Sequence, residues 1–335
     1  MNKTAHLKRL GKNACITLII PGIALSLMLI LCAIYDVPFL VPQGGFRAFI
    51  YTGVTTMFTA YALGIHLLAG RMDFSIGAAS VLAAVIGTQI AIEVGANVAT
   101  MLLIFIGVGV IIGAVSGVLY LLFNLPPIIT SLGVTMAYEG LSFALTGGRG
   151  AQIAFYPALM GGASLPWMLA LLAIGLVVMY IFFNFTRFGF NYRAIGFGQK
   201  IAVDTGLNEK SNALACYILS GALVAIVGFL RISFMGNQPP VLNLGTSAVM
   251  FNAMLPIFIS GLMIKYCERN ISLAIGAFTA TIITQGLSSI GVSMQSRALI
   301  TSFLMISILV YTSNKDMVMA VIKSNLSKKS QTSNS

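Results

Sequence analysis

The chain has 335 residues, of which 58% are hydrophobic and only 8% are charged, and its mean hydropathy is +0.96. A soluble globular protein carries about 25% charged residues. This composition excludes a soluble globular chain and predicts an all-α, polytopic membrane bundle, in which lipid covers most of the outer surface. The net charge of +11 does not indicate a nucleic-acid partner, because the basic residues lie between apolar runs, as they do in the loops of membrane proteins.

Ten apolar runs follow one another along the chain, and each is close to the roughly 20 residues that a spanning helix needs. The first run is longer than the apolar region of a secretory signal peptide, about 7–15 residues, so we interpret it as a retained span. The predicted spans cover residues 14–35, 47–69, 74–92, 97–123, 126–146, 163–185, 213–235, 247–264, 270–290 and 296–312. We expect residues 1–13 to be a cytoplasmic N-terminus, residues 14–312 a transmembrane domain, and residues 313–335 a disordered cytoplasmic tail.

The distribution of positive charge predicts the orientation of these spans. With the N-terminus inside, fifteen of the nineteen Lys and Arg residues lie in segments that face the cytoplasm, and four lie outside. Because cytoplasmic loops carry the excess of positive charge, we expect both termini in the cytoplasm. Two sets of five spans flank Gly161. An odd number of spans in each set would invert the second set relative to the first, as in many transporters.

The longest polar stretch inside the chain lies between the sixth and seventh spans, at residues 187–212. It is too polar to cross a bilayer. Residues Ala194 to Gly206 have the pattern of a short amphipathic helix at the membrane surface, and an ordinary solvated loop is the alternative interpretation.

Several polar groups fall within the predicted spans, where they are costly and indicate function. Asp73 stands at the start of the third span, where its carboxylate can accept backbone N–H bonds; solute contact is the alternative. Glu139 lies near the middle of the fifth span with no basic residue one turn away, so its partner must come from another helix or from water. His66 is either a packing histidine or a proton relay. Proline pairs at 126–127 and 239–240 interrupt helices, either near the solute path or in simple turns.

No motif for catalysis or for cofactor binding is present. The four cysteines lack CxxC spacing and do not indicate a disulfide framework or a zinc site. The sequence contains no GxxxxGK[ST] phosphate loop, no HExxH and no GxSxG. We therefore expect no catalytic residues, no cofactor and no metal.

Three stretches resemble segments of the permease subunits of bacterial ABC importers of the ribose, xylose and autoinducer type. The first, like GGIDLSVG, is Gly70-Arg-Met-Asp-Phe-Ser-Ile-Gly77. The second, like PPFIVTLGTMxxxRGLxxxLTGG, runs from Pro126 to Gly148, and the third, like TRFGRxxYAIGGNxxAAxxSGI, runs from Thr186 to Asn208. With Leu219–Gly221, the resemblance covers about residues 45–235.

The resemblance implies a permease subunit that moves a small polar solute, most often a sugar, across the bacterial cytoplasmic membrane. Its implied partners are a cytoplasmic ATP-binding subunit, a second permease subunit (identical or different), an extracytoplasmic solute-binding protein and membrane lipid. Residues 186–212 would form a cytoplasmic coupling loop. The residues that it implies for contact with the ATPase groove are Arg193, Ala194, Ile195, Gly196, Gly206 and Leu207. The candidates for the solute path or its gate are Asp73, Ser75, Pro126, Pro127, Thr130 and Glu139.

The chain departs from the family pattern at three places. Arg71 stands where the family segment has glycine, Glu139 stands where arginine is common, and residues 259–268 replace a glycine-rich segment. Because of these departures, the solute and the choice between homodimer and heterodimer stay open. Three other functions also stay open: a nucleoside importer of the same class, an ion-coupled secondary transporter that uses Glu139 or His66, and a receptor or scaffold that transports nothing.

Overall fold

The computed structural model describes residues 3–40, 45–123 and 125–332. Twelve α-helices occupy this part of the chain, together with two short 3₁₀ helices and one two-residue strand pair. The helices are α1 Lys3–Ile34, α2 Gly45–Leu68, α3 Ile76–Glu93, α4 Val98–Phe123, α5 Pro127–Thr146, α6 Leu165–Phe185, α7 Arg187–Phe197, α8 Gln199–Asp204, α9 Glu209–Met235, α10 Ala248–Met263, α11 Arg269–Ser289 and α12 Met294–Thr332. The strands are β1 Ala151–Gln152 and β2 Asn237–Gln238, which pair antiparallel.

Ten segments of the described chain are long and apolar enough to cross a membrane, and each overlaps one predicted span. Their bounds differ from the predicted bounds by at most four residues, as at the seventh span, which begins at Glu209. Large apolar side chains are exposed on α1, α4, α6 and α12, as expected for surfaces in contact with lipid. The prediction of a polytopic helical membrane bundle is therefore confirmed.

Local sequence signals fix several helix ends. α5 begins with Pro127, where the missing N–H costs nothing, and is capped at its end by Gly147, whose φ of 56° lies in the left-handed region. α9 begins after Asn208, whose side chain accepts the Ser211 N–H at 3.0 Å, and is capped at its end by Gly236 with a φ of 73°. α11 begins after Glu268, whose carboxylate accepts the backbone N–H groups of the first turn.

α9 lies at the centre of the bundle and packs against α2, α3 and α4. It crosses α4 antiparallel through glycine: a Cβ added at Gly113 would lie 2.3 Å from the Tyr217 carbonyl oxygen, and one at Gly109 would lie 2.4 Å from the Gly221 carbonyl oxygen. Because lipid provides little hydrophobic drive between helices, close packing through small residues stabilises the bundle. Gly113 and Gly221 therefore allow α4 and α9 to pack closely.

Helices at equivalent positions of the two five-span sets meet in the centre. α2 runs antiparallel to α9, with Tyr51 stacked on Phe234 at 4.0 Å and the His66 ring 4.5 Å from that of Tyr217. The beginnings of α3 and α10 also meet, and a Cβ added at Gly77 would lie 2.1 Å from the Thr246 carbonyl oxygen. In an inverted arrangement of two halves, equivalent spans run in opposite directions.

Two segments differ from the predictions. The helix predicted at 194–206 is two helices, α7 and α8, because the side chain of Thr186 caps an earlier start and Gly198 separates them. The tail predicted to be disordered from residue 313 continues α12 as far as Thr332. The reason is that no proline or glycine interrupts the chain between Met294 and Thr332.

Candidate solute path and coupling surface

The segment between α2 and α3, residues 69–75, holds the first predicted path residues. One oxygen of the Asp73 carboxylate accepts the Ser75 backbone N–H at 2.8 Å and the Ser75 hydroxyl at 2.6 Å. The other oxygen lies 3.5 Å from Nε2 of His66, and all three side chains are buried. Asp73 therefore orders the backbone just before the first residue of α3, as its position in the sequence predicts, and His66 packs beside it.

The predicted partner of Glu139 lies in the segment before α10. The Glu139 carboxylate accepts hydrogen bonds from the Leu244 N–H at 2.9 Å, the Thr246 N–H at 2.9 Å and the Thr246 hydroxyl at 2.6 Å. Glu139 is the thirteenth residue of the 20-residue helix α5 and is 2% exposed, so these contacts form at mid-helix, inside the bundle. The arrangement places negative charge beside the N-terminal end of α10, where the helix dipole favours it.

The backbone that Glu139 binds has an unusual conformation. Asn243 and Leu244 both have φ values of 60°, in the left-handed region that residues other than glycine rarely adopt. Such a conformation costs of order 1–3 kcal/mol per residue and persists only when surrounding contacts hold it. The Glu139 carboxylate supplies those contacts, and it thereby fixes where α10 begins.

The two polar clusters are joined where α3 meets α10. Gly77, two residues after Ser75, contacts the backbone of Thr246, and the ring of Phe74 packs on Phe251 at 5.7 Å. Two interrupted helices whose N-terminal ends meet inside a bundle are typical of transporter solute paths. In this structure, direct backbone contact closes the junction.

The other predicted path residues lie elsewhere. Pro126 and Pro127 form the start of α5, about 18 Å along the helix from Glu139, and Thr130 is about 14 Å from it, at 1.5 Å per residue. The Thr130 hydroxyl is buried and has no hydrogen-bond partner among the described residues. The structure therefore places Ser75 and Glu139 at the junction with α10, while Pro126, Pro127 and Thr130 lie on the earlier part of α5. That part of α5 contacts the segment before α3, because the Ser131 hydroxyl donates to the Met72 carbonyl oxygen at 3.4 Å.

The coupling loop, residues 186–212, contains α7 and α8 and packs on the end of α2. The Tyr192 hydroxyl donates to the Gly64 carbonyl oxygen at 2.9 Å, and burial raises the pKa of that hydroxyl, so it remains a donor at neutral pH. A Cβ added at Gly196 would lie 2.6 Å from Cγ of Leu68. The coupling loop is thus attached to α2 by close contact and by a buried hydrogen bond.

A separate apolar cluster attaches the coupling loop to the segment between α2 and α3. Its buried members are Ala69, Ile195 and Ala202, and Leu207 packs against them. Of the six predicted coupling residues, Ile195, Gly196 and Leu207 therefore face the bundle rather than a partner. Arg193 is half-buried; it donates to the Asn184 side chain at 3.2 Å and lies 4.9 Å from the Phe190 ring.

The opposite face of the coupling loop is exposed. Ala194 and Gly206 lie on it. The two most exposed large apolar side chains of the loop, which the motif comparison did not select, are Phe197 at 91% exposure and Ile201 at 71%. Their signal was present in the sequence, because large apolar residues are unexpected in an otherwise polar loop. Exposed apolar side chains on an element whose other face packs against the bundle are typical of a protein–protein contact surface.

The described residues contain no group of three His, Cys, Asp or Glu side chains placed to hold a metal ion. At the α3–α10 junction, the Asp73 and Glu139 carboxylates are hydrogen-bonded to hydroxyl and backbone N–H groups. The Ser247 hydroxyl and both ring nitrogens of His66 are buried with no hydrogen-bond partner among the described residues. The site is therefore built from hydrogen bonds and helix ends.

Comparison with known proteins defines the class. The family model for the permease component of the branched-chain amino acid transport system matches residues 46–310, and the chain belongs to this family. It is a multi-pass membrane permease subunit, and the resemblance predicted from the three motifs is confirmed.

Individual relatives are import permeases. The chain is 28% identical to the galactose/methyl galactoside import permease protein of Salmonella typhimurium over 270 residues, 75% of this chain and 78% of that protein. It is 26% identical to the fructose import permease protein of Bifidobacterium longum, over 82% of this chain and 81% of that one. It is 25% identical to the autoinducer 2 import system permease protein of Photorhabdus luminescens, over 73% of this chain and 74% of that one. No solved structure matches the chain.

Proposed function

We propose that this chain is the permease subunit of a bacterial ATP-binding-cassette importer that carries a sugar across the cytoplasmic membrane. Relatives named as galactose, methyl galactoside and fructose import permeases support the solute class. The excess of Lys and Arg in the segments assigned to the inside supports an orientation with both termini and the coupling loop in the cytoplasm.

The two faces of the coupling loop carry the proposal. Its outer face presents Phe197 and Ile201 to a partner, while its inner face is fixed to α2 and to Ala69. A short helical element held in this way moves as a rigid body. When an ATP-binding subunit moves the outer face, the inner face displaces the segment that leads to Asp73 and the start of α3.

The separate subunit hydrolyses ATP, since this chain contains no phosphate-loop motif. Binding of ATP to that subunit shifts the population between two permease conformations. In one, Gly77 contacts Thr246 and the α3–α10 junction is closed; in the other, the two helix ends separate and the solute passes. Asp73 and Glu139 act as gate residues, because their hydrogen bonds order the two ends that must part.

The remaining partners complete the importer. A second permease subunit, identical or different, pairs with this one, and an extracytoplasmic binding protein delivers the solute. The resemblance in the coupling loop and the relatives' import function support these partners.

The test is alanine substitution of the exposed apolar pair. Tagged permease is purified from the membranes of its own cells, and the nucleotide-binding subunit that accompanies it is quantified by mass spectrometry. We expect Phe197→Ala and Ile201→Ala each to lower the retained subunit by about tenfold or more, because truncating a hot-spot residue at the centre of an interface costs about 2 kcal/mol or more.

Phe155→Ala is the matched control. Phe155 is 84% exposed and lies between β1 and α6, in a segment that the orientation places outside. We expect this variant to retain the subunit at the wild-type level. The proposal is wrong if no nucleotide-binding subunit accompanies the wild-type permease, or if all three variants retain it equally.

A further inference from the structure

Arg71 is a buried cation in the segment between α2 and α3. It is 2% exposed, and its Nη2 donates to Sγ of Cys216 on α9 at 3.5 Å. Its Nη1 lies 3.9 Å from Oε1 of Glu209. Within the described part of the chain, Nε and Nη1 make no hydrogen bond. A buried charge is costly unless an opposite charge compensates it, and Glu209 is the carboxylate in contact with this guanidinium.

Glu209 connects this cation to the coupling loop. It is the first residue of α9, and its side chain is 30% exposed. The same Oε1 atom accepts Nε2 of Gln199 at 2.5 Å, and Gln199 is the first residue of α8. One carboxylate oxygen therefore lies between the coupling loop on one side and the segment before Asp73 on the other.

We propose that Arg71 and Glu209 form a tether that transmits the position of the coupling loop to the start of α3. Arg71 is a positioning residue in this role, acting through the backbone of residues 71–75. The inference rests on the proposed function and adds to it the residues that carry the coupling. It also gives a reason for arginine at a position where the family segment has glycine.

The geometry makes the tether sensitive to movement. At 3.9 Å the pair is not hydrogen-bonded, and the guanidinium has N–H groups on two nitrogens still to satisfy. If α8 and the first turn of α9 move towards Arg71, a charge-assisted hydrogen bond forms; if they move away, the buried cation loses its counter-charge. The free energy of the pair therefore differs between the two positions of the coupling loop, and such a difference biases a conformational equilibrium.

Thermodynamic linkage supplies a test that needs no knowledge of the solute. If nucleotide binding by the partner subunit moves the coupling loop, it changes the stability of the tether by some factor. Linkage then requires that the tether change the affinity for nucleotide by the same factor, so weakening the tether must shift the Kd. The complex of permease and ATP-binding subunit is reconstituted in nanodiscs, and the Kd for the fluorescent analogue TNP-ATP is measured. The variants are Arg71→Gln, Glu209→Gln and the double variant, with Lys265→Gln as the matched control: an exposed charge outside the coupling loop, between α10 and α11.

We expect each single variant to shift the Kd for TNP-ATP by about five- to tenfold, at the lower end of the range of typical coupling free energies. We expect the double variant to shift it no further, because either change removes the same interaction. Lys265→Gln should leave the Kd unchanged. Glu209→Gln keeps the test decisive if Arg71→Gln fails to fold, since the Glu209 side chain is partly exposed and is less critical for folding than the buried Arg71.

A Kd within 1.5-fold of wild type in both single variants, roughly the error of the titration, overturns the tether, as do effects that add in the double variant. These results leave the proposed function intact, because the complex still forms and still binds nucleotide. If the wild-type permease binds no ATP-binding subunit, the proposed function fails and the tether fails with it.

Discussion

Glu139 offers the sharpest test of how the α3–α10 junction is held. Its carboxylate makes three hydrogen bonds to the segment before α10, each to a buried or partly buried donor. In Glu139→Gln the amide oxygen keeps the two bonds from Thr246, while the amide nitrogen faces the Leu244 N–H. Leaving one buried donor unsatisfied costs about 1–3 kcal/mol. In Glu139→Leu all three bonds are lost, and two backbone N–H groups are left unsatisfied.

We therefore expect a graded loss of about 2 kcal/mol for Glu139→Gln and about 4–6 kcal/mol for Glu139→Leu. The assay is thermal unfolding of the purified permease in detergent, monitored by the fraction that remains monodisperse. A loss of about 2 kcal/mol corresponds to a decrease of several degrees in Tm. The loss of uptake should be larger than the loss of membrane abundance for Glu139→Gln, because the glutamine variant still folds around a weakened junction.

Glu93→Gln is the matched control, since Glu93 is exposed at the end of α3. It should unfold at the wild-type temperature. The reasoning is refuted if Glu139→Leu is as stable as Glu139→Gln, or if both match the wild type, because the three hydrogen bonds would then contribute nothing.

Two further predictions concern glycines. In the coupling loop, Gly196→Leu introduces a side chain against α2, and Gly206→Val places a branched residue at a φ of 92°. Both variants should uncouple ATP hydrolysis from uptake without preventing membrane insertion. Gly198→Ala should leave coupling intact, because its Cβ would lie at an ordinary contact distance of 3.4 Å from the nearest side chain. Unchanged hydrolysis and uptake in both variants would contradict the coupling role. In α4, Gly113→Leu should destabilise the purified permease by several kcal/mol because its Cβ would lie 2.3 Å from a backbone oxygen of α9, while Gly107→Leu, with no atom within 4 Å, should unfold like the wild type. Equal melting of these two variants would contradict the proposed helix packing.

The spans were predictable because their signal is local. A bilayer imposes a length and an apolar composition on each helix, and both are visible in a single run of residues. The cap at Asn208 and the proline at the start of α5 also act over a few residues. The contact of Gly113 with α9 was predictable in kind, since small residues at helical spacing indicate packing.

The partners of the polar residues were not predictable in this way. Glu139 binds residues more than a hundred positions away, at 244 and 246, and the sequence says only that its partner must come from elsewhere. The same holds for Arg71 and Cys216, which are 145 positions apart. Such contacts depend on how the two sets of five helices pack, and no periodicity within one segment encodes that.

The coupling loop shows a mixture of both cases. The polar composition of the loop was enough to find it in the sequence. The motif did not separate the residues that face the bundle, such as Ile195, from those that face outward, such as Phe197. The direction in which a side chain points from a short helix depends on where the helix begins. The helix was predicted to begin at Ala194, but the Thr186 cap makes it begin seven residues earlier, at Arg187. The sequence marks large apolar residues as unusual in this polar loop, but only the orientation of both helices shows that Phe197 and Ile201 face outward.

The most direct test of the account is site-specific photo-cross-linking from position 197 in intact cells. A benzophenone amino acid replaces Phe197, and a second strain carries it at Phe155. The account predicts that position 197 captures a nucleotide-binding subunit and that position 155 does not. Capture of that subunit from position 155 would contradict it, as would labelling of a cysteine placed at position 197 by a thiol reagent that cannot cross the membrane.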